Sequence, residues 1–237
     1  MLRLGDLAPD FEASCYFPGS PAKETIKFSE FCSDGQWIIL FSHPADFTPV
    51  CTTELARVSL LASEWEKRGC KVIGLSTDRL ASHQSWSKDI CEYAENVSAS
   101  PHPNLNFPII SDWDLKVATL YGMLDQECHD PSNFDPQTSA PLPIRTVFIL
   151  DPKRRVRLTM TYPAAVGRSF DEILRLLDAL QRSDEYKIAT PADWKQDGDV
   201  IVRFDVKEEE AEILFPNRRA FKPYLRFTSD PKSPKSQ

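Results

Sequence analysis

No two cysteines of this 237-residue chain are spaced C-x-x-C. That excludes a thioredoxin-type dithiol motif and a zinc knuckle. The six cysteines stand alone at positions 15, 32, 51, 70, 91 and 128. In a reducing compartment such thiols stay free, and the ordinary use of each is as a small buried hydrophobe. An excess of basic charge is also missing. The net charge is −7 and the pI about 5.2, which argues against non-specific binding to nucleic acid or anionic membrane. No run approaches the roughly 18 consecutive apolar residues of a membrane span. Residues 1–10 lack the charged-then-apolar layout of a signal peptide, and residues 234–237 carry no peroxisomal or retention signal. The expectation is a cytoplasmic protein. No internal repeat is visible.

What is present reads as an α/β domain with an appendage. Trp37-Ile38-Ile39-Leu40-Phe41 is a short unbroken apolar run, as in a buried strand. Lys71-Val72-Ile73-Gly74-Leu75-Ser76 is a second. Thr146-Val147-Phe148-Ile149-Leu150 is a third, and the turn Asp151-Pro152-Lys153 leads into residues 155–162, which alternate as the partner strand of a hairpin. Between the first two strands, Leu55, Val58, Leu61 and Trp65 recur at helical steps, with Gly69 as the stop. Phe170, Ile173, Leu174, Leu177 and Leu180 repeat that rhythm, and Ser169 with Glu172 makes a capping box. Residues 98–107 and 125–143 read as loops or insertions. The order predicts a mixed central sheet flanked by helices. After about residue 184 the texture changes to one short strand (200–204), one short helix (207–214) and a polar tail. Residues 1–184 are therefore expected to form the main domain. Residues 185–237 would form a small C-terminal α+β domain, with 229–237 disordered.

The chemistry concentrates in His43-Pro44-Ala45-Asp46-Phe47-Thr48-Pro49-Val50-Cys51-Thr52-Thr53-Glu54, between a buried strand and an amphipathic helix. Thr suits an N-cap and Pro the first helical position. Thr48 is then the N-cap, Pro49 N1 and Cys51 N3. N3 ordinarily holds a Glu, whose charge meets free N–H groups and the positive end of the helix dipole. Here it holds a thiol, and the same field favours a thiolate, the nucleophilic form.

Pro44-x-x-x-Thr48-x-x-Cys51 is similar to the active-site signature of peroxiredoxins. Longer stretches resemble the one-cysteine (peroxiredoxin-6 type) subfamily. They include Phe41-Ser42-His43-Pro44, Asp46 to Glu54, Ser87-Lys88-Asp89-Ile90, Tyr121-Gly122-Met123-Leu124-Asp125, Tyr162-Pro163, Gly167-Arg168, Phe170 to Arg175, and Ala189-Thr190-Pro191 with Trp194. The resemblance runs from about Leu4 to Phe227. It implies a thioredoxin-like fold and a thiol-specific peroxidase that reduces hydrogen peroxide and organic hydroperoxides. Cys51 would attack the terminal peroxide oxygen and become a sulfenic acid. Pro44 would shield the thiolate, Thr48 would hydrogen-bond the peroxide, and Arg145 would stabilise the thiolate and the developing charge. Arg168 would be a second active-site arginine, with Glu54 orienting both. His43 would sit near the sulfur, either as a proton-handling group or as a hydrogen-bonded histidine at a strand end. No metal or organic cofactor is required. The expected partners are a hydroperoxide, an external thiol reductant (glutathione, thioredoxin or similar) and a second copy in a homodimer.

The chain lacks a convincing resolving cysteine. None follows Cys128, and the position five after Cys51 is Ala56. Cys91 and Cys128 remain as unusual candidates. A phospholipase G-x-S-x-G serine, found in some members of the subfamily, is also missing. Asp34-Gly35-Gln36-Trp37-Ile38 occupies that region, and the nearest imitation, Gly74-Leu75-Ser76-Thr77-Asp78, ends in Asp. A thiol-based redox sensor and a holdase chaperone stay open as alternative functions.

Overall fold

The computed structural model describes residues 2–20, 24–98, 104–125 and 141–232. The chain divides into two compact units, residues 1–168 and 169–237. The first holds strands β1 (Glu12–Tyr16) and β2 (Thr25–Lys27), helix α1 (Phe28–Phe31), strand β3 (Trp37–Ser42), helices α2 (Pro49–Leu60) and α3 (Ala62–Lys67), strand β4 (Cys70–Ser76), helix α4 (Leu80–Val97), strand β5 (Ile109–Ser111), helix α5 (Lys116–Tyr121), and strands β6 (Arg145–Leu150) and β7 (Val156–Tyr162). Its seven strands form one sheet in the order β2-β1-β5-β4-β3-β6-β7. Strands β3, β4 and β5 run parallel, and every other neighbouring pair is antiparallel. This is the mixed sheet that the strand–helix–strand order with a late hairpin predicts.

Every residue of β3 is buried, so its side chains are buried on both faces of the sheet. Ile38 and Leu40 join Ile73, Leu75, Ile110, Phe148 and Leu150 in a core cluster with Phe28 and Tyr121. Ile39 and Phe41 point to the other face, and Phe41 meets Phe107 with ring centroids 5.8 Å apart. Helices α2 and α4 pack against each other, burying Leu55, Val58, Trp86 and Ile90.

The helix expected to run on to Gly69 is interrupted. Leu61 leaves helical geometry (φ −92°, ψ 14°) and separates α2 from α3. The Val58 carbonyl, which a continuous helix would offer to residue 62, instead accepts from Leu61 N–H at 3.2 Å and from the Trp65 indole N–H at 3.0 Å. Gly69 still ends the segment, in the left-handed region at φ +55°.

The second unit holds α6 (Phe170–Glu185), β8 (Ile188–Ala189), β9 (Val200–Val202), α7 (Glu208–Leu214), β10 (Arg219–Lys222) and β11 (Leu225–Thr228). Its strands pair in the order β10-β11-β9-β8 over a core of Ile188, Trp194, Val200, Val202, Val206, Ala211 and Phe215. The division falls before α6 rather than near residue 184, because α6 is tied to its own C-terminal neighbours. Ala179 packs on that core, and Arg182 is held by Asp230 at 2.7 Å. The Ser169 hydroxyl accepts from Glu172 N–H at 3.3 Å, as the capping box predicts. The described part of the tail reaches Lys232. Asp230 is buried and receives Lys232 N–H at 3.0 Å, while residues 233–237 lie outside the described residues.

Candidate active site

The site forms where β3 ends and α2 begins. Thr48 stands at the N-cap in extended conformation, Pro49 is N1 and Cys51 is N3, as the sequence predicts. The Thr48 hydroxyl does not cap the helix, however. It donates to the Ala45 carbonyl at 2.8 Å. The first intrahelical bond runs from Thr52 N–H to the Thr48 carbonyl at 3.0 Å, so the N–H groups of Val50 and Cys51 have no intrahelical acceptor. Losing a side-chain cap costs about 1 kcal/mol. Full burial of Leu55 and Val58 contributes about 1.5–3 kcal/mol each and holds the helix without it.

Arg145 reaches this point through sheet pairing. The antiparallel register of β3 and β6 sets Phe41 opposite Val147. Continued two residues, it sets His43 opposite Arg145. Arg145 Nη1 donates to Cys51 Sγ at 3.3 Å and to Glu54 Oε2 at 2.8 Å. Its Nε and Nη2 donate to the Ala164 carbonyl at 2.9 and 2.7 Å. Arg168 grips the same glutamate. Its backbone N–H and Nε donate to Glu54 Oε1 at 2.7 and 3.0 Å, and its Nη2 to Oε2 at 2.6 Å. Arg168 Nη1 reaches the Ser42 carbonyl at 2.8 Å, and the guanidinium lies 5.0 Å from the centre of the Phe41 ring. Burial opposes ionisation of Glu54, but the hydrogen bonds and charge of Arg168, with the charge of Arg145, hold the carboxyl below its ordinary value. Two buried cations thus face one buried carboxylate and a buried sulfur, and a thiolate would balance the charges. Pro44 is buried in the same loop.

His43 is buried at the end of β3. Its Nε2 pairs with Asp46 Oδ1 at 3.1 Å, and its Nδ1 has no hydrogen-bond partner, so neither nitrogen is bonded to Cys51. Asp46 also meets His83 Nδ1 at 2.7 Å and Ser82 Oγ at 2.8 Å. Burial alone would raise the Asp46 carboxyl, but the two imidazoles bring it well below the carboxylate range. Burial also lowers His43 from its ordinary value. His43, Asp46 and Asp78 bring three possible metal-ligand atoms within 4.8 Å of one another. Asp46 already accepts from two imidazoles and a hydroxyl, however. Asp78 Oδ2 accepts from Asp46 N–H and Ser76 Oγ, both at 2.9 Å. The donors present fit a hydrogen-bond network.

Thr48, Cys51, Glu54, Arg145 and Arg168 are therefore joined or adjacent, while His43 belongs to a second group with Asp46, Ser82 and His83, residues whose connection the sequence did not show. The His43-x-x-Asp46 spacing was a signal, but nothing in the sequence ties it to Ser82 and His83. The other thiols differ from Cys51. Burial pushes Cys32 up to about 12 and raises Cys70 as well. Cys91 is half-buried and free, and Cys128 lies outside the described residues. Ser76, at the end of β4, is fully buried with its hydroxyl donated to Asp78, which gives the imitation G-x-S-x-D no accessible nucleophile.

The chain is similar to known proteins along nearly its whole length. A model described as the AhpC/TSA family matches residues 4–159. The chain is 45% identical over 236 residues to Peroxiredoxin-6 of Rattus norvegicus, covering 97% of this chain and 98% of that protein. It is 40% identical over 234 residues to a 1-Cys peroxiredoxin of Medicago truncatula, covering 96% and 98%. Peroxiredoxin 6 of Arenicola marina, solved as a cysteine-to-serine mutant, superposes with a TM-score of 0.85 at 39% identity, over 98% of this chain and 100% of that one. A yeast mitochondrial 1-Cys peroxiredoxin gives 0.81 at 39% identity, over 97% and 100%.

Proposed function

The chain belongs to the AhpC/TSA family as a thiol peroxidase of the one-cysteine peroxiredoxin kind, and on that premise we propose that Cys51 is its single peroxidatic group. The observation that carries this reading is the 3.3 Å contact from Arg145 Nη1 to a sulfur at N3 of a helix. The thiolate attacks the terminal oxygen of a hydroperoxide. The O–O bond breaks, the sulfur becomes a sulfenic acid, and the departing alkoxide or hydroxide takes a proton. Charge develops on the oxygens during that step. Arg145 and the unpaired N–H of Cys51 are donors already in place for it, so they stabilise the transition state more than the ground state. With its hydrogen given to Ala45, Thr48 offers the peroxide O–H an acceptor. Glu54 and Arg168 fix the arginine pair, and Pro44 keeps water from the sulfur.

An external thiol completes the cycle. It condenses with the sulfenic acid, releasing water and leaving a mixed disulfide, and a second thiol restores Cys51. A similar yeast protein resolves its thiol through glutathione/thioredoxin systems, which supports reductants of that class here. The compartment we propose is a reducing one such as the cytosol, where isolated thiols stay reduced. Strand β7 lies at the open end of the sheet. Residues 5–8 pair with its start, at Arg155 and Val156; beyond that it has no strand partner on its outer side among the described residues, and an open edge invites pairing, which supports a homodimer. The test is to replace each cysteine singly with Ser and follow peroxide loss with glutathione or thioredoxin as reductant. Only Cys51→Ser is expected to abolish turnover. Turnover at the parent rate in that variant refutes the assignment.

A further inference from the structure

Asp46 takes no part in the steps above, yet its carboxylate and its backbone N–H are both engaged. Its carboxylate meets His43 Nε2 at 3.1 Å, His83 Nδ1 at 2.7 Å and Ser82 Oγ at 2.8 Å, and the Asp46, His43 and His83 side chains are fully buried. A buried carboxylate is costly unless donors surround it. Being ionised, it only accepts, which sets the hydrogens of the two rings on His43 Nε2 and His83 Nδ1.

The backbone links this cluster to the site. In the peptide unit joining Ala45 to Asp46, the N–H donates to Asp78 Oδ2 at 2.9 Å. The C=O of the same unit accepts the Thr48 hydroxyl at 2.8 Å. The orientation of that one peptide therefore decides which way the Thr48 lone pairs point. Asp78 is itself fixed, since its carboxylate accepts from Ser76 at 2.9 Å and its carbonyl from Ser111 at 2.7 Å. Between Asp46 and Thr48, Phe47 is held at φ +53°. A bulky residue adopts that left-handed conformation only where its surroundings impose it.

We propose that His83 is a positioning residue for peroxide reduction, acting through Asp46 to hold the 43–48 loop so that Thr48 presents its acceptor to the peroxide. The inference rests on the peroxidase reading and adds a residue remote in sequence to it. It separates two properties of Cys51. The contact of Arg145 with the sulfur involves no member of the cluster. Peroxide selectivity depends on Thr48, which the cluster orients.

The test compares the full-length parent with His83→Leu and His83→Asn. The rates of Cys51 with hydrogen peroxide and with iodoacetamide are measured side by side. Alkylation needs the thiolate but no acceptor for an O–H. His83→Leu is expected to slow the peroxide reaction about 10- to 100-fold, the effect of misplacing a reacting group by about 1 Å, and to leave alkylation within about twofold. His83→Asn restores a donor near the Nδ1 position and is expected to recover the peroxide rate to within about threefold of the parent. If His83→Leu does not fold, Ser82→Ala removes another donor from the same oxygen and is expected to lower the peroxide-to-alkylation ratio about fivefold. An unchanged ratio in the folded variant, or His83→Asn as impaired as His83→Leu, overturns the inference while leaving the peroxidase reading intact. A parent that consumes no peroxide overturns both.

Discussion

Replacing Arg145 with Met removes the guanidinium that touches the sulfur and leaves the rest of the site framed. At 3.3 Å, with an effective dielectric of about 20, a cation and a thiolate attract by about 5 kcal/mol. Part of that is offset, because the same Nη1 also serves Glu54 at 2.8 Å. Removing one preorganised donor from comparable sites costs about 2.7–4 kcal/mol, or 100- to 1,000-fold in rate, and the expected loss here lies in that range. Glu54 keeps three donors from Arg168, so it is not stranded, and the fold is expected to survive. The Ala164 carbonyl does lose both of its Arg145 donors, so circular dichroism and a urea titration accompany the rate measurement. Arg145→Lys is expected to fall between the parent and Arg145→Met. A point charge can face the sulfur, but it cannot also bridge Glu54 and Ala164. The assay is peroxide consumption at saturating reductant, with single-turnover oxidation of Cys51 as the direct measure. A folded Arg145→Met protein within about threefold of the parent rate would refute the electrostatic argument, since the smallest loss expected from such a site is about 100-fold.

Three further outcomes follow from the same geometry. Glu54 is held below its ordinary value of 4.5, so its stabilisation is fully present above that pH and is lost as pH falls through the lowered folded value. Glu54→Gln is expected to cost about 3–5 kcal/mol at pH 7 and to flatten the acid limb of the stability curve; urea titrations at pH 7 and pH 4 that fall in parallel for both proteins would contradict this. Cys51 is fully buried, so a second peroxide enters more easily than a bulky thiol, and peroxide without reductant is expected to add roughly 32 or 48 Da, two or three oxygens, to the chain. Intact mass with non-reducing electrophoresis decides it, and a stoichiometric disulfide from Cys51 to Cys91 or Cys128 is the opposing result. Sedimentation at micromolar concentration is expected to give a dimer, and a lone 26.9 kDa species would leave the β7 edge unexplained.

The parts of this molecule legible in its sequence are those governed by near neighbours. Thr48, Pro49 and Cys51 occupy N-cap, N1 and N3 because helix starts are read over four residues, and β3, β4 and β6 stand out because buried strands are apolar throughout. Helix α4 was not legible as a helix, although it is 18 residues long. Its buried stripe runs His83, Trp86, Ser87, Ile90, Ala94, and a count of apolar residues passes over the histidine and serine in it. Strand β1 and the edge strand β2 each bury a single residue, too little for a clear period. The roles of Arg145 and Arg168 came from family resemblance, because their distance to Cys51 is set by sheet register and loop return, which no local pattern encodes. The Asp46 cluster illustrates the same limit more sharply. Its members come from three segments, 43–46, 76–78 and 82–83, and each residue alone reads as an ordinary polar group. What makes them a unit is the cost of burying a carboxylate. Asp46 lies where water cannot reach, so the chain has to bring two imidazoles and a hydroxyl to it. That requirement in turn fixes the peptide that orients Thr48. The buried polar network and the position of the peroxide acceptor are therefore one constraint, and it becomes visible only when the three segments are seen together.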